Sequence, residues 1–230
     1  MAASLAGKRV LITSGPTRAN LDAVRYISNR STGRLGARIA VEALERGAQV
    51  ILLAGPESAV PSDANLPAEQ LGRLRILPVE TVADLVEALQ RELTGPEPPD
   101  AIVHAMAVLD YVPESASTEK TASGRNEWEI RLVTAPKVIR SIKEWAPQTY
   151  LVQFKLEVGK SDDRLREIAL ASLLANRGDL VVANDLQKIR DEEHPALIIA
   201  TDGTVLSRPA TKSEIARALC DILAQKLMPG

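Results

Sequence analysis

An α/β fold, built on a mostly parallel sheet flanked by helices, is predicted by three observations. Short apolar, β-branched runs alternate with segments of helical periodicity along most of the chain. Most of those runs are continuously aliphatic, as strands covered on both faces are. One late stretch breaks the alternation with an Asp-Gly turn between two apolar runs, which adds antiparallel strands to the parallel sheet.

The elements follow in chain order. Residues 8–14 (KRVLITS), 49–54 (QVILLA), 74–79, 100–108 (DAIVHAMAV), 150–156 (YLVQFKL) and 179–184 (DLVVAN) read as buried strands. Helical periodicity occupies 34–46, 82–93, 136–145, 162–176 and 212–227, with Asp162 and Thr211 placed to cap the last two. Residues 127–133 (EWEIRLV) alternate like a half-exposed strand, and Asp202-Gly203 makes the hairpin turn in ALIIATDGTVLSRP. The polar segments 56–73 and 113–126 read as loops, and TGPEPPD as a rigid turn into the fourth strand. The whole is a Rossmann-like sheet with an antiparallel hairpin extension, expected as a single domain over residues 1–230.

Composition narrows the partners. The 230 residues are 45% hydrophobic and 25% charged, with a formal net charge of -2, far from the one-sided basic character of a duplex nucleic-acid binder. Aromatic content of 3% leaves few stacking platforms for single strands and makes the core aliphatic. The single cysteine, Cys220, excludes an intrachain disulfide framework; neither a signal-peptide apolar region nor a long uninterrupted apolar segment is seen. The expectation is a cytoplasmic protein that handles small ligands, with no nucleic-acid or membrane partner.

In an open parallel sheet the ligand crevice lies outside the carboxyl ends of the strands. The connection after the first strand, SGPTRANLDAVRYISNRSTGRLG, far exceeds the two to six residues usual for a strand-to-helix turn, and loops of that length tend to be functional. It ends on Gly33-Arg34-Leu35-Gly36 opening a helix, where free N–H groups and the helix dipole favour an anion. The glycines permit close backbone approach, Ser31 and Thr32 add hydroxyls, and Arg18, Arg25, Arg30 and Arg34 add positive charge, so the stretch reads as a phosphate cradle. The competing reading is that Asn29 and Ser31 only cap the helix while the arginines are solvated. Neither G-x-x-x-x-G-K-[ST] nor G-x-G-x-x-G occurs, and the second strand ends LLAG without the acidic residue of a dinucleotide site.

Four blocks in order, VLITSGPTRANLDAVRYISNRSTGRLG, AMAVLDY, FKLE and VVANDL, resemble the phosphopantothenoylcysteine synthetases. The resemblance spans residues 10 to about 223 and is to the stand-alone form. It implies a ligase that joins 4'-phosphopantothenate to L-cysteine through an acyl-nucleotidylate, with Mg²⁺ and CTP (or ATP) as co-substrate, in a homodimer with shared active sites. By the same resemblance, Asn29 lies beside the acyl group and Arg25 reaches a neighbouring subunit's substrate. Gly15, Ser31, Gly33, Gly36, Phe154 and Asn184 would hold the nucleotide. Asp110, with backbone groups of Met106 and Ala107, would lie near the substrate, and Lys120 would meet the triphosphate. The family usually carries lysines on the helix before VVANDL where Ala171 and Ala175 stand; Lys155, Arg166 or Arg177 could replace that charge.

Other readings remain at this point. An NAD(P)-dependent oxidoreductase would use a similar sheet, although no tyrosine here is followed four residues later by lysine. A nucleotide-binding dimer without turnover would follow from the two alanines. His104 reads as a satisfied core group, His194 as loop surface and Cys220 as a small hydrophobe; these residues form no protein metal site.

Overall fold

Strand β1 (Arg9–Ser14) lies near the centre of an eight-stranded sheet and is followed by a small hairpin, β2 (Arg18–Asn20) and β3 (Tyr26–Ser28). The computed structural model describes residues 4–228 apart from 63, 65 and 125, which fall within the two segments read as loops. Helix α1 (Arg34–Glu45), β4 (Gln49–Ala54), α2 (Ala68–Leu71), β5 (Leu74–Pro78) and α3 (Val82–Thr94) come next. They are followed by β6 (Ala101–His104), β7 (Tyr111–Pro113), β8 (Leu132–Thr134), α4 (Val138–Trp145) and β9 (Tyr150–Glu157). The chain ends with α5 (Asp162–Ala175), β10 (Leu180–Asp185), β11 (Ala196–Ala200), β12 (Val205–Ser207) and α6 (Lys212–Lys226).

The sheet runs β12-β11-β10-β9-β6-β1-β4-β5, parallel from β10 to β5 and antiparallel at β11 and β12. From β1 the chain moves outward through β4 and β5, then returns to β6 and proceeds the other way. The strand order therefore reverses between β1 and β6, where Thr13 pairs with His104, and the loops beyond open a crevice.

Alternating residues feed two layers. Val10, Ile12, Val50, Leu52, Val103, Val152, Val182 and Ile198 face α1 and α6. Leu11, Ile51, Leu53, Ile102 and Leu151 face α3 and α4, and Val181, Ala183, Leu197 and Ile199 face α5. Burying side chains of this size contributes about 1.5–3 kcal/mol each, which an aliphatic core repeats many times. No helix among the described residues is long and apolar enough to cross a membrane.

Several boundaries differ from the sequence expectations. Residues 74–79 were expected to be buried, but β5 is an edge strand with Arg75, Ile76 and Pro78 exposed. The fourth strand stops at His104, because Ala107 leaves the sheet to bond the first loop. Of residues 127–133 only the end joins a strand, β8, whose partner β7 ends on Pro113, the first residue of the segment read as a loop. Ser161, rather than Asp162, caps α5 by accepting from the Arg164 N–H, whereas Thr211 caps α6 as expected. Gly203 takes a φ of 82° in the β11–β12 turn. His104 bonds Thr13 at 2.9 Å, and Cys220 is buried. His194 is not surface: it is 8% exposed, with its N–H on the Ala210 carbonyl before α6.

Candidate active site

The two loops at the reversal are sewn together. The Ala107 N–H donates to the Gly15 carbonyl at 2.8 Å, the Leu109 N–H to Thr17 Oγ1 at 3.0 Å and the Met106 N–H to Thr13 Oγ1 at 3.2 Å. Asn29 closes the seam: its Nδ2 donates to the carbonyls of Ala107 and Val108 at 3.2 and 3.1 Å. Asn29 is exposed, so its amide stands at the crevice surface while the main chain of the other loop orients it.

Neither Asn29 nor Ser31 caps α1. The N-cap is Gly33, left-handed at φ 69°, and no side chain covers the helix start. The first N–H groups of α1 thus lack the side-chain partner that a capped helix supplies, as an anion site requires. The glycines have a second reason the sequence did not disclose. A Cβ on Gly15 would lie 1.7 Å from Ser58 Oγ, one on Gly33 2.7 Å from Ser58 Cβ, and one on Gly36 2.2 Å from Ser14 Oγ. They let β1 and the loop after β4 pack against the cradle. Ser58 Oγ is buried there without a hydrogen-bond partner among the described residues.

The arginines supply less free charge than their number suggests. Arg18 pairs with Glu57 at 2.8 Å and lies over the Tyr26 ring, Arg25 pairs with Asp22 at 2.7 Å, and Arg34 pairs with Asp191 at 2.6 Å. Arg30 is exposed and has no carboxylate partner among the described residues.

Phe154 pairs with Val182 and Leu156 with Asn184, so Phe154 and Asn184 share the sheet face that carries α1. Strands β1 and β10 are three positions apart, about 14 Å at ~4.8 Å per strand, a span that suits a nucleotide lying across the strand ends. Asp110 follows the β6 loop and is paired with Lys137, which precedes α4; the Ala135 N–H also donates to the Asp110 carbonyl at 2.9 Å. The pairing of Asp110 with Lys137 crosses 27 residues and left no local signal in the sequence.

Lys120 is exposed in the loop between β7 and β8. The next residue, Thr121, donates its N–H to Asp22 Oδ2 at 3.1 Å. Asp22 also accepts from the N–H groups of Val24 and Arg25 at 2.8 and 2.7 Å, the first of these an Asx turn that the NLDAVR stretch could have suggested. Burial alone would raise the Asp22 carboxyl, but the N–H donors of Val24, Thr121 and Arg25 and the Arg25 charge outweigh it and hold it at about 2.

The charge substitutes expected for Ala171 and Ala175 face elsewhere. Lys155 pairs with Glu157 on the opposite sheet face from Phe154, Arg166 donates to the Gly203 carbonyl and Arg177 reaches Glu144. Ala171 and Ala175 are exposed on α5, which runs back toward the amino ends of the strands. Within the described chain, therefore, neither position faces the crevice.

The model of the DNA/pantothenate metabolism flavoprotein C-terminal domain matches residues 5–227. The coenzyme A biosynthesis bifunctional protein CoaBC of Thermococcus kodakarensis is 38% identical over 224 residues, which cover 97% of this chain and 53% of that protein. The chain spans about half the length of the curated relatives it matches. Among solved structures, the DNA/pantothenate metabolism flavoprotein from Streptococcus pneumoniae superimposes with a TM-score of 0.84 at 29% identity, covering 96% of this chain and 100% of that one. The C-terminal domain of a CoaBC gives a TM-score of 0.76 at 28% identity, covering 98% of each.

Proposed function

The chain belongs to the DNA/pantothenate metabolism flavoprotein C-terminal domain family, the phosphopantothenoylcysteine synthetase domain, and from that premise we propose that it ligates 4'-phosphopantothenate to L-cysteine. The observation that carries the proposal is the Asn29 amide, held on the Ala107 and Val108 carbonyls beside the uncapped start of α1. It brings an acyl-facing amide and an anion-binding helix end to one crevice.

The chemistry runs in two displacements. A carboxylate oxygen attacks the α-phosphorus of CTP, the bond to the β-phosphate oxygen breaks, and pyrophosphate leaves. The cysteine amine, having lost its proton, then attacks the acyl carbon; the amide bond forms and CMP departs carrying the original carboxylate oxygen. Both steps depend on holding anions together and on absorbing developing charge rather than on a strong general base. Gly15, Ser31, Gly33 and Gly36 line the phosphates, and Phe154 and Asn184 flank the nucleotide on the same face. Asp110, Met106 and Ala107 border the substrate side. Lys120 brings an ammonium to the triphosphate, and Asn29 orients the activated acyl group.

No group of three or more His, Cys, Asp or Glu among the described residues could cage a metal ion. A magnesium ion that travels on nucleotide phosphates needs only one or two protein carboxylates, and none of this chain is assigned to it: Asp110, on the substrate side, is already paired with Lys137. When bound, such an ion neutralises charge on the triphosphate. The active unit is a homodimer in which Arg25 serves the neighbouring site.

The test is incubation with 4'-phosphopantothenate, cysteine, Mg²⁺ and each of CTP, ATP, GTP and UTP. Pyrophosphate and the cysteine amide are expected, fastest with CTP. No product with any nucleotide would end the proposal.

A further inference from the structure

Resting on the ligase reading above, we propose that Asp22 is a positioning residue that sets Arg25 and the main chain beside Lys120 in one arrangement. The Asp22 carboxylate accepts from donors on two separate segments. Its Oδ1 takes the N–H groups of Val24 and Arg25, and its Oδ2 takes Arg25 Nη1 at 2.7 Å and the Thr121 N–H at 3.1 Å. The Asp22 side chain has no exposed surface, so these donors replace all of its water.

The contact joins residues 99 apart in sequence. Arg25 completes a ring of bonds, because Nη1 also donates to the Thr121 carbonyl at 3.4 Å while the guanidinium lies 5.1 Å from the Trp128 ring centroid. A second tether, the Ser117 N–H on the Leu21 carbonyl, fixes the other side of Lys120. The Lys120 main chain is thereby held between Ser117 and Thr121, while its exposed side chain makes no hydrogen bond or ion pair among the described residues. A fixed backbone under a free ammonium suits a charge that must meet a phosphate arriving from solution.

Asp22→Asn keeps the shape but turns one acceptor into a donor, opposing the Thr121 N–H and Arg25. In the pyrophosphate assay, kcat is expected to fall about 10- to 100-fold with the KM for cysteine unchanged, since the loss falls on the first step. Combined with Lys120→Ala, the double variant should stay within about threefold of Lys120→Ala alone, because residues acting through one another are not additive. Should Asp22→Asn unfold, Thr121→Pro deletes the N–H that Asp22 accepts, while also fixing φ at 121 and restricting Lys120 before it, and should give the same signature. Unchanged kcat in the folded variant, or losses that multiply on the Lys120→Ala background, would overturn the proposal. Wild type without turnover would instead sink the ligase reading. Hydrogen exchange at the Thr121 amide still reads the clamp without substrate: about tenfold faster exchange in Asp22→Asn supports it, and equal exchange refutes it.

Discussion

The Asn29 side chain donates to the carbonyls of Ala107 and Val108, joining the first loop to the β6 loop at the point where the strand order reverses. Those bonds fix the amide from its nitrogen end, and on the proposed ligase reading its oxygen is the end that meets the activated acyl group. Asn29→Ala should therefore preserve pyrophosphate release while the activated intermediate accumulates, because only the second displacement needs the acyl group oriented. Quenched single-turnover samples would check this; equal loss of pyrophosphate and amide product would contradict it.

Gly36 makes a stability prediction independent of function. Its added Cβ would meet Ser14 Oγ at 2.2 Å and Ser14 Cβ at 2.4 Å, both on a central strand that cannot retreat. Gly36→Ala should destabilise by about 1–3 kcal/mol, the ordinary cost of overpacking. Gly124→Ala, where nothing lies within 4 Å, serves as the control. Urea unfolding of the two variants gives the comparison.

Acid should weaken the fold in two windows. Burial lowers His104 from 6.5 to about 4, so below pH 6.5 the unfolded chain takes up a proton that the folded chain refuses. Stability should fall as pH drops from 6.5 to 4, by about 3 kcal/mol from this group alone at 1.36 kcal/mol per unit. His194, which burial also lowers to about 4, acts in the same window, so His104→Leu should reduce the slope there without abolishing it, whatever it costs at neutral pH. Asp22, held at about 2 against its ordinary 3.8, adds stability present above pH 3.8 and lost as pH falls toward 2. Thermal unfolding from pH 7.5 to 2 reads both, and a curve flat between pH 6.5 and 4.5 would refute the first.

Arg25 offers a test of the shared active site. If it serves the neighbouring subunit, Arg25→Ala mixed with Lys120→Ala should recover about a quarter of wild-type activity, since one site in a mixed dimer is intact. Absence of rescue would place its role in its own chain, on the Asp22 clamp.

The parallel core was legible because Val10–Ile12, Val50–Leu53 and Val181–Ala183 are continuous apolar runs with strand chemistry. The donor-rich first loop was legible for its length and its glycines. What escaped depends on distance in sequence: the three-residue strands β2, β3 and β7 are too short to show a period, and Asp22–Thr121 and Asp110–Lys137 are pairings made only by the fold. Gly15 and Gly33 were read for a ligand, whereas close packing of Ser58 from another loop also requires them.

One measurement addresses the central chemistry most directly: turnover of 4'-phosphopantothenate labelled with ¹⁸O in its carboxylate, in the presence of cysteine, Mg²⁺ and CTP. The acyl-nucleotidylate route predicts pyrophosphate together with CMP bearing one heavy oxygen. Unlabelled CMP, or CDP released with labelled orthophosphate, would contradict it.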